Sequence, residues 1–512
     1  MTTPLINSSA APRMLLGIVA VALGLMTCVP GVLAQTPSVM VGDTTEDPNS
    51  VASNATELKA GEMTGSGSEA LQGTYAQASD IVEDPTGPDE IIEDPYGPDE
   101  IEDPTEPEEI IEDPTAPEVI LNESFAQPGS LFPNAMFPGT GYERLKKDIY
   151  ERYGVKFSFS YQQLFQWASA TLPNAKYDTA LGGWAGFTGE WIPLDRGGDY
   201  EGKLVFQAGW RDSIGNNAVP AQFGVSQIGS AVSNYEFTSW GGTRIEDLYW
   251  NQRIAGDRFS FRVGNQTPQT VINFSRFKNA RVSYTASPFT FLDTIPYPTY
   301  GLGASFRWRP LGQESELYMV GTLNDMNGDP AALGLDWSTF GLGQYFYGLE
   351  FGYFWRRNNG EFDHLHLDLF YADKRSTRSP NILPNEPGGG FSVYGEKQFG
   401  RFVGSLGYTY NTAKGGGISA TFTHQTITAG LSYLNPMNIR GEASLGLMFS
   451  DPFKNIFPGS GQRGQYTVDT YWRVQVTPYL TMTPALWFIF DPSFNPTVNF
   501  QVVPQIKFQI LF

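Results

Sequence analysis

Three sets of polar residues in the body of the chain are placed to do chemistry. Arg276, Lys278 and Arg281 crowd into one stretch, 266–299, whose single acid is Asp293. Arg262, Arg307, Arg309, Glu350, Asp368 and Arg473 alternate with apolar or aromatic neighbours, and His364, His366 and Asp368 follow one another at intervals of two. Residues two apart share a face of an extended strand, so each row of charges points one way. Fixed cations among hydroxyl and amide groups are what a water-filled passage uses to sort solutes by charge and hydrogen bonding. We therefore assign these nine Arg, Lys, Glu and Asp residues to a channel lining. The two histidines share a face but lack a third strong ligand, so wall residues are expected there and no metal. His424 stands among Thr and Gln without the Ser and orienting group that a nucleophilic site needs. Neither an enzyme nor a cofactor is expected.

The elements that would carry these residues are strands. Alternation, aromatic content and Gly, Pro, Asn or Asp boundaries mark sixteen of them, beginning near Val155, Gly182, Glu201, Arg244, Arg258, Tyr300, Ser315, Gln344, Glu361, Gly390, Arg401, Gln425, Gly441, Gln465, Leu480 and Val498. Their connections alternate long and short: 213–243 then 255–257, 266–299 then 310–313, 327–343 then 358–360, 374–389 then 398–400. Such sorting of loops by side marks an up-and-down transmembrane barrel. Ile506, Phe508, Ile510 and Phe512 oppose Gln505, Lys507 and Gln509, which puts apolar side chains towards lipid and polar ones inside, so the interior should be wet. Leu248, Tyr249 and Trp250 break the alternation, which predicts a bulge there. The fold class is all-β: a 16-stranded antiparallel outer-membrane β-barrel, 155–512, with both termini on the periplasmic side. The stretch 266–299 is the expected infolded constriction loop.

What precedes the barrel differs in composition. The chain has 512 residues and a net charge of −21, but residues 35–130 hold 24 acids against Lys59 alone, and the remainder is close to neutral. Arg13, the apolar run Met14–Val29 and the small-residue pattern at Val32-Leu33-Ala34 read as a signal peptide, 1–34, which would take Cys28 with it. Residues 81–119 repeat about every ten: Ile81-Val-Glu-Asp-Pro-Thr-Gly-Pro-Asp-Glu90 is followed by three similar units. Two prolines per unit and mutual repulsion predict an extended, disordered arm over 35–130. Such an arm suits a spacer or a periplasmic partner, and its acids repel nucleic acid. Over 131–154, Leu145, Ile149 and Tyr153 lie at helical spacing and predict a short periplasmic amphipathic helix.

The run from Tyr471 to Leu486, with Thr477-Pro478-Tyr479 and Pro484 inside it, then Asp491-Pro492 and the stretch to Phe512, resembles the carbohydrate-selective porin (OprB) family. Phe261-Arg262-Val263-Gly264 with Pro268, and Gly321 to Pro330, are similar to family segments too. The likeness spans about residues 141–512. It implies a sixteen-stranded channel that passes sugars and other small hydrophilic solutes without energy input, embedded in outer-membrane lipid. The C-terminal Phe512 resembles the signal such barrels present to their assembly machinery. The Trp-Gly-Gly motif usual before the first strand is absent, and Trp487 stands where a polar residue is more common in the family. The alternative is a structural barrel whose acidic arm tethers another envelope component.

Overall fold

The computed structural model describes residues 113–512 apart from 136, 235, 240–241, 291–293, 329–334, 336, 357–361, 377–384, 416–421 and 458–459. The expected signal peptide, most of the acidic arm and Asp293 lie outside the described residues. Sixteen strands follow in chain order: β1 Val155–Trp167, β2 Thr179–Leu194, β3 Gly202–Ser213, β4 Gly242–Ile254, β5 Phe259–Gln266, β6 Gly301–Trp308, β7 Leu317–Asp325 and β8 Tyr345–Arg356. They continue with β9 Phe362–Ala372, β10 Gly388–Phe399, β11 Phe402–Asn411, β12 Thr423–Leu434, β13 Gly441–Pro452, β14 Gln465–Thr477, β15 Leu480–Phe490 and β16 Phe500–Leu511. Each pairs antiparallel with the next, and β1 closes the ring on β16 with Ser160 opposite Leu511 and Gln166 opposite Gln505. Closure leaves no unpaired edge, the condition for strands to cross hydrocarbon. Every start lies within three residues of its expected position, Gly182 being the furthest out.

Loop sorting is as the sequence predicts. At the end where β1 begins and β16 finishes, connections are short, down to Gly400-Arg401 and Pro478-Tyr479, while the opposite end carries 214–241, 267–300 and 326–344. The two faces of each strand also part as expected. In β9, Leu365, Leu367 and Leu369 are exposed on the outer face while His364, His366 and Asp368 are buried inside. The irregular strand is β4: Gln207 pairs with Asp247 but Ala208 pairs with Ile245, so Glu246 is an extra residue. This bulge turns Glu246 and Asp247 inward together, whereas Leu248, Tyr249 and Trp250, where the irregularity was expected, alternate regularly with Tyr249 inward. Glycine is abundant partly because it faces rings across the sheet. Phe206 lies over Gly189 and Tyr318 over Gly352, where a Cβ would meet ring atoms at 2.3 and 2.0 Å.

Two expectations need correction. The interior is not uniformly wet, because 214–241 and 267–300 fold into it. Phe223, Ile228, Val232, Phe277, Tyr284 and Phe289 from those loops pack against Val403, Met448, Tyr471, Trp487, Ile489 and Val503 of the wall. Apolar inward positions on β11 and on β13–β16 made this sector available for a core. Second, the extended arm stops before 130: Asp113–Ser124, with helix α1 at Pro117–Glu123, is packed inside the barrel. Proline at the first helical position costs no hydrogen bond, and the wall supplies cations for the acids. The expected short helix is present as α2, Thr140–Tyr153, and its apolar stripe is not what seats it. Leu145 and Tyr153 are exposed and Lys146 is buried, its ammonium donating to Ser124 O at 3.0 Å and lying 4.3 Å from the Phe125 ring centre.

The outer face yields a direct check. Leu367→Arg, at the middle of β9, should destabilise the barrel by about 2–4 kcal/mol, as cations do on a lipid face at mid-depth. Reversible urea unfolding in phospholipid vesicles measures this, and an unchanged midpoint contradicts the outward placement.

Candidate functional site

The lumen is built by the two infolded loops and by the inward residues of β2–β10. Loop 267–300 is anchored all round the wall. Ser275 Oγ lies 2.9 Å from Tyr394 Oη of β10, and Tyr284 Oη lies 3.1 Å from Ser432 Oγ of β12. Thr294 Oγ1 is 2.9 Å from Thr423 Oγ1, Thr483 Oγ1 of β15 donates to Val282 O at 2.9 Å, and Lys507 Nζ of β16 donates to Ala280 O and Tyr284 O, each at 3.2 Å. Loop 214–241 joins it where Asn234 Nδ2 donates to Thr285 O at 2.9 Å. Bonds on β10, β12, β15 and β16 hold the first loop across the bore, which is what an infolded constriction loop requires.

Around the β4 bulge the lumen holds a dense charge cluster. Arg211 of β3 donates twice to Glu246, Nε to Oε1 at 2.9 Å and Nη2 to Oε2 at 2.7 Å. Trp184 Nε1 and Gln207 Nε2 donate to the same carboxylate at 3.0 and 2.6 Å. Glu236 of loop 214–241 links this fork to the constriction loop, accepting from Arg281 Nε at 2.8 Å with Arg211 Nη1 at 3.4 Å. The Arg281 guanidinium lies 4.1 Å from the Trp184 ring centre, so the indole serves as both hydrogen-bond donor and cation platform.

The second cluster receives the folded end of the acidic segment. Glu118 accepts from Tyr249 Oη at 2.8 Å and Asn251 Nδ2 at 3.2 Å, with Arg262 Nη2 at 3.5 Å and Lys203 Nζ at 3.9 Å. Asp113 pairs with Lys278 of the constriction loop. These two acids bound the unit Asp113-Pro-Thr-Ala-Pro-Glu118, the fourth occurrence of Asp-Pro-x-x-Pro-acid in residues 81–119. Burial pushes the Glu118 carboxyl up, but Arg262 and Lys203, helped by the Tyr249 hydroxyl, outweigh it and hold the group down to about 2.

All the expected lining residues point away from lipid, and each has an ionic or hydrogen-bonding partner. Arg276 pairs with Glu396 at 3.1 Å, Arg307 and Arg309 reach Asp257 at 3.2 and 2.6 Å, and Arg473 pairs with Glu442. Glu350 accepts from Tyr318 Oη at 2.5 Å and from the Asn273 backbone N–H. His366 Nε2 is 3.2 Å from both Asp368 Oδ2 and Asn273 Oδ1. Glu350, His366 and Asp368 thus converge, because Glu350 is the cross-strand partner of Asp368. A cation among them would compete with the Asn273 N–H for Glu350. His424 lies apart from these clusters, 4.0 Å from Asp451 and against the rings of Tyr410 and Phe453.

Sequence reading missed Asp113, Glu118, Lys203, Arg211, Glu236, Glu246 and Tyr249. Arg211 was within reach, because it shares the inward face of β3 with Val205 and Gln207. Glu246 and Tyr249 were hidden by the bulge, and Glu118 by the acidity of the segment around it.

Among solved structures, the chain is similar to Pseudomonas putida OprB at high pH, with a TM-score of 0.56 and 13% identity over 72% of this chain and 97% of that one. The fold is that of OprB. The low-pH structure of the same protein aligns with a TM-score of 0.43 and 11% identity over 73% of this chain and 97% of that one, and a Rh. blastica porin variant with 0.38 and 12% over 70% and 100%. No protein-family model and no curated protein matches the chain. The likeness to OprB is one of fold, and its extent corresponds to that of the barrel.

Two outcomes follow from the clusters. Arg211→Met should cost about 3–5 kcal/mol by leaving Glu246 charged and unpaired, and Glu246→Gln in the same chain should recover part of it; denaturant midpoints of the two variants measure the coupling. Because the Glu118 carboxyl is held low, its charge contact is complete above about pH 4.5 and is lost as pH falls towards 2. The groups facing it are Lys203, Arg262, Tyr249 and Asn251, and Asp247 and Glu190 lie behind them. Hydrogen-exchange protection of amides 119–123 should therefore persist down to about pH 4.5 and fall below it; protection lost already near neutral pH contradicts this seating.

Proposed function

We propose that the protein is an outer-membrane porin for passive diffusion of carbohydrates and other small hydrophilic solutes. The observation that carries this reading is a closed sixteen-stranded barrel, apolar outside, whose bore is narrowed by a loop fixed to the wall and lined with charged, hydroxyl and amide groups. The OprB fold supports it. Beside the constriction lies a cavity of about 50 Å³ lined by Asn251, Ser260, Arg262, Ser305, Arg307 and Glu350 among others. Hydroxyl-rich solutes suit such a lining, since its donors and acceptors replace hydration. In this reading the end carrying β1 and the close of β16 faces the periplasm, as short turns do in outer-membrane barrels.

The many compensated ion pairs argue for weak charge selectivity with some tolerance of anions. Liposome swelling with sugars of graded size is the test. Small sugars should enter and larger oligosaccharides should be excluded. Exclusion of even glycerol, by both the natural chain and its Glu118→Gln variant, contradicts the porin reading. Reversal potentials showing strong cation preference contradict the selectivity.

A further inference from the structure

Glu118 is held as a bound solute would be. Its carboxylate receives one phenol, one amide and two cations from four positions on β3, β4 and β5, and none of these comes from its own segment. The segment makes no ladder with the wall: the backbone-to-backbone hydrogen bonds described for residues 113–124 are internal, such as Ala116 N to Asp113 O at 2.8 Å and Ile120 N to Ala116 O at 3.1 Å. Its hold on the barrel is the two acids, Asp113 on Lys278 and Glu118 in the cradle, with the buried Ile120 and Leu121 and two further bonds, Asn279 Nδ2 to Pro114 O at 3.4 Å and Lys156 Nζ to Asn122 Oδ1 at 3.3 Å. It also stands in the path. Asp113 lines the same cavity as Asn251, Arg262 and Arg307, so a solute entering that cavity meets both the segment and the cations that grip it.

We propose that Lys203, Tyr249, Asn251 and Arg262 form a carboxylate-binding site in the pore, filled here by the chain's own Asp113–Glu123 segment as a displaceable plug, and that polyhydroxy carboxylates compete with the segment for it. The inference rests on the porin reading and deepens it by naming an acidic class of permeant. A carboxylate is matched by two cations and two neutral donors, whereas a neutral sugar gains hydrogen bonds from the cations but no charge pairing. A solute bearing both a carboxylate and several hydroxyls uses the cradle and the neighbouring Ser260 and Ser305 hydroxyls at once. Exchange at the cradle conserves the charge contacts of Lys203 and Arg262, and Lys278, parted from Asp113, keeps the carbonyls of Gln269 and Ile272 as acceptors.

Planar-bilayer conductance of the full-length chain tests this, with gluconate and glucose as matched probes. The natural chain should conduct weakly and open further, saturably, with gluconate but not with glucose at equal concentration. The isosteric double variant Asp113→Asn/Glu118→Gln should conduct several-fold more without either probe. A synthetic peptide of residues 113–123 should block that variant, gluconate should relieve the block, and adding Arg262→Gln should weaken it at least about tenfold. Retained heat-modifiable mobility on gels establishes that each variant is folded. Equal conductance of the natural chain and the double variant overturns the plug while leaving the porin intact. Identical effects of gluconate and glucose overturn the carboxylate site. Failure of every folded variant to conduct overturns the porin reading itself.

Discussion

The closure of β1 on β16 is the constraint on which everything else depends. Hydrocarbon offers no partner to a backbone N–H or C=O, so a chain of short strands can cross it only if the last strand pairs with the first. The ladder from Ser160–Leu511 to Gln166–Gln505 supplies that pairing. Once the ring is closed, the two faces of every strand see different solvents. Apolar residues such as Leu365 and Leu367 are driven outward, and His364, His366 and Asp368 on the same strand can exist only inside.

The inside then poses its own problem, since charged groups removed from bulk water need partners. The protein answers it in two ways. On the β11–β16 side, apolar inward residues let loops 214–241 and 267–300 pack a core inside the bore. On the β2–β10 side, the same loops supply complementary charge: Glu236 to Arg211 of β3, and Arg276 to Glu396 of β10. The constriction is thus the place where a packed sector and a charged sector meet. Function and stability draw on the same contacts, because the residues that narrow the passage are also those that neutralise the wall.

Most of the barrel was legible because strand alternation is a local property, and lipid outside with polar groups inside enforces it over every strand. An irregularity in β4 was legible and was expected at Leu248-Tyr249-Trp250, but the position of the extra residue, Glu246, depends on cross-strand register with β3 and is absent from local pattern. The constriction loop was legible from its length and its cations. Loop 214–241 was equally long, yet its one decisive residue, Glu236, carries no signal until Arg211 and Arg281 are brought to it. The fate of Asp113–Glu123 was hidden for a different reason. Composition describes what a segment does in water, and this segment's acids meet Lys203, Arg262 and Lys278, far from it in the chain.

The bore is narrowed from within by loops fixed to its wall. Single-channel conductance of the full-length chain in concentrated potassium chloride tests this narrowing most directly. Discrete steps far smaller than an unobstructed sixteen-stranded bore would give are expected. Steps of the size of an open bore, or no steps at all from folded, inserted protein, would contradict it.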